Sequence, residues 1–301
     1  MSSWSGKTRG GLTGHKIFVF TIQYLGLSFA YFILRFVVVY FFLFTPSSFR
    51  LTFRYFHRIL KSGFFKSVCK VYKNYFVFGQ VLIDKIALLA DFKTKFSFDF
   101  EGEEHLRQMV ENKTGGLLIS AHTGNFEMAG HLLNRLHAKI NIVMFEAEHQ
   151  HIKKYLSTVF KENNVHIISI SNDFSHIFEI EKAFENKEIV CIHGDRFVEG
   201  SKTTKVKFLG REARFPCGPF YLAMKFNIPV SFVFAMKEKK YRYHFYASPA
   251  QQYYCPQLNL KKKDLIITSI ISCYISELEK MLHRYPEQWF NYYDFWEEGI
   301  R

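Results

Sequence analysis

The chain has 301 residues, which suits one large α/β domain with an appendage, or two small domains. Aromatic residues make up 18% of it and the formal net charge is +13, a combination that indicates a nucleic acid, an anionic membrane surface or an acidic protein as partner. The five cysteines include no C-x-x-C pair, so the sequence indicates neither a zinc cage nor a disulfide framework and predicts ordinary reduced thiols.

The first predicted element is an apolar segment at residues 17–44, IFVFTIQYLGLSFAYFILRFVVVYFFLF, whose only charge is Arg35. As one helix it would be roughly 42 Å long, against about 30 Å of bilayer hydrocarbon. It is too long for a signal-peptide core, and no small-residue cleavage site follows it. We therefore predict a tilted membrane span or a deeply embedded anchor, with a buried helix of a soluble protein as the alternative.

A basic segment follows, with seven Lys or Arg residues and no acidic one before Asp84. Their spacing of three to five residues predicts one basic face on an amphipathic helix that lies on anionic headgroups. The basic excess on this side of the apolar segment places the rest of the chain in the cytoplasm. A merely solvated face is the alternative, and nucleic acid is disfavoured because it would not need the apolar segment. The seven are Arg50, Arg54, Arg58, Lys61, Lys66, Lys70 and Lys73, of which we predict membrane or carrier-protein contact for the first four.

From about residue 96 onwards, short apolar runs alternate with helical patterns, which predicts a mixed, mostly parallel sheet flanked by helices. We therefore divide the chain into a membrane-anchoring helical region, 1–95, and an α/β domain, 96–301. The predicted strands are 116–121, 140–145, 165–170, 188–193, 228–236 and 241–247. The predicted helices are 125–136, 150–163, 175–186, 218–227 and 261–282.

The stretch AHTGNFE at 121–127 puts polar groups where a buried strand runs into a helix. Sites in open α/β sheets collect at the carboxyl ends of strands. His122 can act there as a general base, and Glu127 can orient it from the first helical turn if Gly124 lets the loop fold back. From this pattern alone, a structural histidine beside a capping glutamate is the better interpretation.

Four blocks in one order resemble the lipid A biosynthesis acyltransferases that add secondary, lauroyl or myristoyl chains, within the lysophospholipid acyltransferase superfamily. AHTGNFE resembles their H-x-x-x-x-(D/E) signature. The opening WSGKTRGGLTGHKIF before a single apolar anchor is similar to Bacteroidetes-type members. The other blocks are IHGDRFVEGS (192–201), VKFLGREARFPCGPFYLAMKFNIPVSFVF (206–234) and YPEQWFNYYDFW (285–296).

The resemblance implies a glycerolipid acyltransferase-like fold and transfer of a fatty acyl group to a hydroxyl of a membrane glycolipid. The donor it implies is an acyl thioester on acyl carrier protein or coenzyme A, with no metal and no other cofactor. By this analogy His122 deprotonates the hydroxyl and Glu127 orients the imidazole. We expect a monomer at the bacterial inner membrane, with its catalytic domain on the cytoplasmic side.

Other side chains fit the same chemistry. Asn125, or a main-chain N–H near Gly124, could donate to the thioester oxyanion. The resemblance places Asp195 and Arg196 in the cleft, with Arg196 a candidate contact for phosphate or pantetheine and a loop-bracing Asp–Arg pair as the alternative. A basic loop and hairpin could hold a phosphorylated glycolipid or an acidic carrier, or could simply be solvated. Its residues are Lys202, Lys205, Lys207, Arg211 and Arg214.

Three alternatives stay open. The same chemistry could act on a lysophospholipid, an aminolipid or a polyene pigment. A metal-dependent hydrolase could use His122, Glu127 and His131, with His193 and Asp195 in support, although the spacing matches no H-E-x-x-H helix. A catalytically inactive membrane-bound protein would have the same N-terminal region.

Overall fold

The computed structural model describes residues 12–89, 96–126, 128, 136, 138–145, 165–170, 175–197, 200–255 and 260–296, with the side chains of 12–17, 89, 145, 260 and 261 excepted. The predicted helix 150–163 lies outside these ranges. So does most of the predicted helix 125–136, including Glu127.

Within the described residues, seven strands form one sheet in the order β1-β9-β8-β2-β5-β3-β4. Every neighbouring pair is parallel except β8 and β9, which confirms the predicted mixed, mostly parallel sheet. A separate antiparallel hairpin, β6–β7, covers most of the predicted basic loop and hairpin. The strands are β1 Ser97–Glu101, β2 Gly116–Ser120, β3 Ile140–Phe145, β4 Val165–Ile170, β5 Ile189–His193, β6 Thr203–Phe208, β7 Arg211–Pro216, β8 Val230–Lys239 and β9 Arg242–Ala247.

The central strand β2 is buried along its whole length because both faces of the sheet are covered. Leu117 and Ile119 join the main core on one face, while Leu118 joins a smaller core on the other. Helices at the three predicted positions 175–186, 218–227 and 261–282 are confirmed; β1 and the helix after it were not predicted. The helices of this part are α4 Glu103–Glu111, α5 Ser175–Glu185, α6 Gly218–Phe226 and α7 Leu260–Arg284.

The predicted apolar segment forms helix α1, Leu12–Phe44, with a kink at Gly26, where φ is 79°. The predicted continuous helix over 17–44 is therefore broken at a residue that tolerates positive φ. After the kink, one face of α1 packs into the core through Leu27, Ala30, Tyr31, Leu34 and Val38. Helix α3, Phe64–Leu89, approaches so closely that a Cβ at Gly79 would lie 2.4 Å from Cδ1 of Leu34.

The basic segment is divided between two helices, so the prediction of one amphipathic helix through Arg50 to Lys73 is wrong. Helix α2, Pro46–Arg54, continues into a π-helical turn, Tyr55–Ile59, and the chain then reverses before α3. The turn ends because the N–H of Leu60 and that of Ser62 donate back to Tyr55 and Phe56 carbonyls, each at 3.0 Å. Lys61 takes a left-handed conformation at this point, with φ of 51°.

A buried polar cluster joins the N-terminal helices to the sheet. Asp84 of α3 accepts hydrogen bonds from Lys237 of β8, Tyr31 of α1 and Tyr243 of β9. Asp84 and Tyr243 are fully buried and Lys237 is 7% exposed. Burial raises the pKa of the Asp84 carboxyl and lowers the pKa of the Lys237 ammonium, because each loses its hydration, and the pairing opposes both shifts.

Candidate active site

Two neighbouring parallel strands, β2 and β5, bring their polar carboxyl ends together. Ser120 and His193 are paired in register as the last residues of the two strands. His122 and Asp195 each follow two residues later, so the topology places them side by side. Gly194 is needed between them because a Cβ there would lie 2.7 Å from Cγ2 of Ile119.

The imidazole of His122 is held by the carboxylate of Asp195. Nδ1 of His122 lies 2.8 Å from Oδ1 of Asp195, and the main-chain N–H of His122 donates to Oδ2 at 2.9 Å. Burial alone would raise the pKa of Asp195, but the charge of His122, its hydrogen bond and the nearby Arg196 bring that pKa below its usual range. Asp195 is therefore ionised at neutral pH, and it fixes the orientation of the ring through Nδ1.

The loop that carries His122 is fastened by the closing segment, residues 285–296. The N–H of Phe290 donates to the carbonyl of His122 at 3.1 Å, and the hydroxyl of Thr123 donates to the carbonyl of Gln288 at 2.9 Å. Gln288 is fixed in turn by both its amide atoms on the main chain of Lys237. The structural role of this segment was not predicted; the one available signal was the YPEQW block of the resemblance.

Gly124 turns the loop with a φ of 61°, and a Cβ there would lie 2.0 Å from the carbonyl oxygen of Ala235. The predicted oxyanion donors around Gly124 already hydrogen-bond to other groups of the protein. The N–H of Gly124 donates to Gln288 at 3.0 Å and that of Asn125 to Ala235 at 2.7 Å. The side-chain amide of Asn125 donates to the carbonyl of Val81 and the hydroxyl of Tyr243. These contacts make Gly124 and Asn125 structural residues of the loop.

Arg196 and the basic hairpin residues occupy different places. Arg196 lies beside the site, where Nη2 donates to the carbonyl of Phe290 at 3.0 Å and the guanidinium lies over the ring of Tyr293. Lys205 is half exposed and pairs with Glu212 across the hairpin at 3.2 Å. Arg211 is exposed, and Arg214 is partly buried.

An apolar pocket lies against the face of the sheet that carries Leu118, with about 980 Å³ of empty space, including its open mouth. Its wall is drawn from strands β1, β2, β3, β5, β8 and β9 and from helix α4. Cys191 lies on this wall, and burial raises the pKa of its thiol to about 12, so the sulfur remains a neutral lining atom. The wall includes Phe100, Leu118, Ile142, Val233, Phe245 and Leu106.

His193 connects this pocket with His122. Its ring lies on the pocket wall, 4.2 Å between centroids from the ring of His122 and 4.3 Å from the ring of Phe126. Burial, with a smaller contribution from the charge of His122, lowers the pKa of His193 well below its usual range. His193 is therefore a neutral imidazole. The sequence pattern predicts for His193 only a supporting role as a metal ligand.

Among the described residues, three metal-capable side chains come within ligand distance of one another at Asp99, Glu238 and His244. This grouping lies on β1, β8 and β9, and Arg242 pairs with both carboxylates. Glu127 and His131 of the hydrolase alternative lie outside the described residues.

The mostly parallel sheet, the imidazole–carboxylate pair at its carboxyl edge and the adjoining apolar pocket define an α/β enzyme for a substrate with a long apolar part. A sequence model of the family described as bacterial lipid A biosynthesis acyltransferase matches residues 67–297. The chain belongs to this family and is an acyltransferase for a lipid A-like substrate. The family is membrane-associated in bacteria, and within the described residues one helix, over Phe18–Phe44, is long and apolar enough to cross a membrane. A comparison with curated proteins gave no match.

Proposed function

We propose that this acyltransferase moves a fatty acyl chain from an acyl thioester to a hydroxyl of a lipid A precursor or a related glycolipid. The thioester is carried by acyl carrier protein or coenzyme A. The observation that carries the proposal is the position of His122, held by Asp195 next to an apolar pocket. A general base beside an apolar pocket suits a reaction between a hydroxyl and the carbonyl at the head of an acyl chain.

In the proposed reaction, Nε2 of His122 takes the proton of the acceptor hydroxyl as its oxygen attacks the thioester carbonyl. The tetrahedral intermediate collapses with cleavage of the C–S bond, and His122 returns the proton to the leaving thiolate. One ester and one thiol are formed, with no covalent enzyme intermediate, metal or other cofactor. Asp195 holds the ring and stabilises the imidazolium. Glu127 keeps its predicted orienting role on the same imidazole, and Arg196 is proposed as the contact for a substrate phosphate or pantetheine arm.

We propose that the N-terminal helices hold the enzyme, as a monomer, at the cytoplasmic side of the inner membrane. In support, the face of α1 turned away from the core exposes ten large apolar side chains to solvent, which is far more than a soluble protein leaves uncovered. Phe64 and Phe65 are also exposed, close in sequence to the exposed Lys61 and Lys66, a combination typical of a membrane interface. The exposed residues of α1 are Phe20, Tyr24, Leu25, Phe29, Phe32, Phe36, Val39, Tyr40, Leu43 and Phe44.

Charge reversal of Arg50, Lys61 and Lys66, all exposed, is expected to lower the preference of the full-length protein for anionic vesicles by about 100-fold, since each basic residue contributes about 1 kcal/mol near such a surface. Co-sedimentation with phosphatidylglycerol and phosphatidylcholine vesicles measures this preference, and high salt should remove it. The matched variant reverses three other exposed lysines, Lys113, Lys187 and Lys239. If both variants lost the preference for anionic vesicles equally, Arg50, Lys61 and Lys66 would have no special role in membrane binding.

Lipid mass spectrometry of cells with and without the protein tests the proposed function. We expect one acyl chain to disappear from a lipid A species when the protein is removed, and purified protein to restore it in vitro from an acyl thioester. Release of free thiol should match ester formation mole for mole. Loss of an acyl chain from a lysophospholipid product, an aminolipid or a pigment instead would reassign the acceptor. Unchanged lipids together with no thiol release would overturn the proposal.

A further inference from the structure

The structure raises the question of which group stabilises the oxyanion formed during acyl transfer. The loop that bears His122 has no spare donor at the three positions after the histidine. The N–H groups of Thr123, Gly124 and Asn125 all donate to protein carbonyls, at 2.7 to 3.0 Å. The side-chain amide of Asn125 is also used, on Val81 and Tyr243. These donors are therefore already used, and the developing charge calls for a polar group elsewhere beside His122.

His193 has the position for this task. Its ring lies between those of His122 and Phe126 and forms part of the pocket wall, so it borders both the base and the space proposed for the acyl chain. Neither ring nitrogen of His193 hydrogen-bonds to any residue in the described part of the chain. A neutral imidazole always carries one N–H and can donate it.

The position of His193 on the wall of the pocket, beside His122, also matches the structure of an acyl thioester, in which the carbonyl stands at the head of the acyl chain. A bound acyl thioester would place its chain in the pocket and its carbonyl at the mouth, within reach of the hydroxyl that His122 deprotonates. Ser120, paired in register with His193, also lines the pocket, and its carbonyl already accepts from Tyr274 and Gly194. Carbonyl oxygens repel an oxyanion, whereas an imidazole N–H attracts one.

We propose that His193 is a catalytic residue whose N–H donates a hydrogen bond to the thioester carbonyl oxygen and to the oxyanion that forms from it. This inference rests on the proposed acyl transfer. His122 takes the hydroxyl proton, the new C–O bond forms, and the π electrons of the carbonyl move onto the oxygen facing His193. When the C–S bond breaks, these electrons return to the carbonyl and His122 protonates the thiolate. His193 gains and loses no proton.

Three variants of the full-length enzyme test this role with a dodecanoyl thioester as donor. His193→Phe keeps a ring between His122 and Phe126 but removes the N–H, and we expect kcat to fall about 100- to 1,000-fold with little change in KM. His193→Asn and His193→Gln place an amide N–H near the position of one or the other ring nitrogen. At least one of them should recover tenfold or more over His193→Phe. His166→Phe, an exposed histidine on β4, is the matched control and should keep the wild-type rate.

A binding experiment separates this role from simple packing. S-(2-oxoalkyl)-coenzyme A keeps a carbonyl near the reacting position, whereas S-alkyl-coenzyme A has none. His193→Phe should weaken binding of the first analogue about fivefold and leave the second unchanged, as expected for the loss of one hydrogen bond. Equal weakening of both, or a wild-type kcat in His193→Phe, would overturn the role of His193 alone. A wild-type enzyme that transfers no acyl chain from any thioester would instead overturn the proposed function.

Discussion

Replacement of Asp195 by Asn is expected to lower kcat for acyl transfer by on the order of 10³- to 10⁴-fold. The carboxylate accepts hydrogen bonds from both the ring and the main chain of His122, so an amide of the same shape must turn its NH₂ group toward one of them. If the NH₂ group faces the ring, Nδ1 becomes the acceptor and the proton moves to Nε2. The nitrogen that should take the proton of the hydroxyl is then already protonated. Steady-state assays with an acyl thioester and a lipid A precursor measure the effect.

Comparison with Glu127→Gln and His122→Ala makes this prediction decisive. His122→Ala sets the rate that remains without the base. Melting temperatures show whether each variant is folded, since Asp195 is buried and its replacement removes an ion pair as well as a catalytic contact. A wild-type rate in Asp195→Asn, with loss of activity in Glu127→Gln, would return the orienting role to Glu127 alone.

Replacement of Lys237 by Met is expected to lower the free energy of unfolding by about 3–5 kcal/mol, because the fully buried carboxylate of Asp84 loses its cation. This is a large part of the 5–15 kcal/mol that stabilises an ordinary domain. Burial raises the pKa of Asp84, and without Lys237 nothing opposes that rise through charge. The loss should therefore be greatest above the folded-state pKa and should shrink as acid protonates Asp84, since a neutral carboxyl needs no cation.

The double variant Lys237→Met with Asp84→Asn should recover most of this loss, because it removes both charges together. Denaturant unfolding in detergent, followed by tryptophan fluorescence, measures the complete cycle. Lys239→Met changes an exposed lysine on the same strand and should stay within about 0.5 kcal/mol of the wild type. Additive losses in the double variant would show that the two charges do not depend on each other.

Much of the sheet was predictable because its central strands are continuous apolar runs. The runs at 116–121, 140–145 and 188–193 could be recognised from composition alone, and their ends fell within one residue of β2, β3 and β5. Strand β1 was missed because it is only half buried, so its apolar signal is weak. The break at Lys61 was missed because charge spacing ignores the hydrogen bonds that end a helix.

The site was only partly predictable for a topological reason. That His122 and Asp195 both follow strand ends was visible in the sequence. Their contact requires that β5, rather than β3, lies next to β2. The order of strands in a sheet cannot be inferred from the local sequence of each strand. In the sequence Asp84 is marked only as the first acidic residue after a basic segment, and its partners Tyr31 and Lys237 lie 53 and 153 residues away. Long-range pairing of this kind is set by packing, which residue patterns do not record.

The attachment of the His122 loop to the closing segment also has a consequence for biosynthesis. The hydroxyl of Thr123 bonds to a carbonyl 165 residues further along, so the loop cannot be secured until that stretch has emerged from the ribosome. By then α1 has long been available to the insertion machinery. On the proposed membrane anchoring, a nascent chain would thus reach the bilayer before it could react, and lipids there would meet a competent catalyst only after the closing segment has been made.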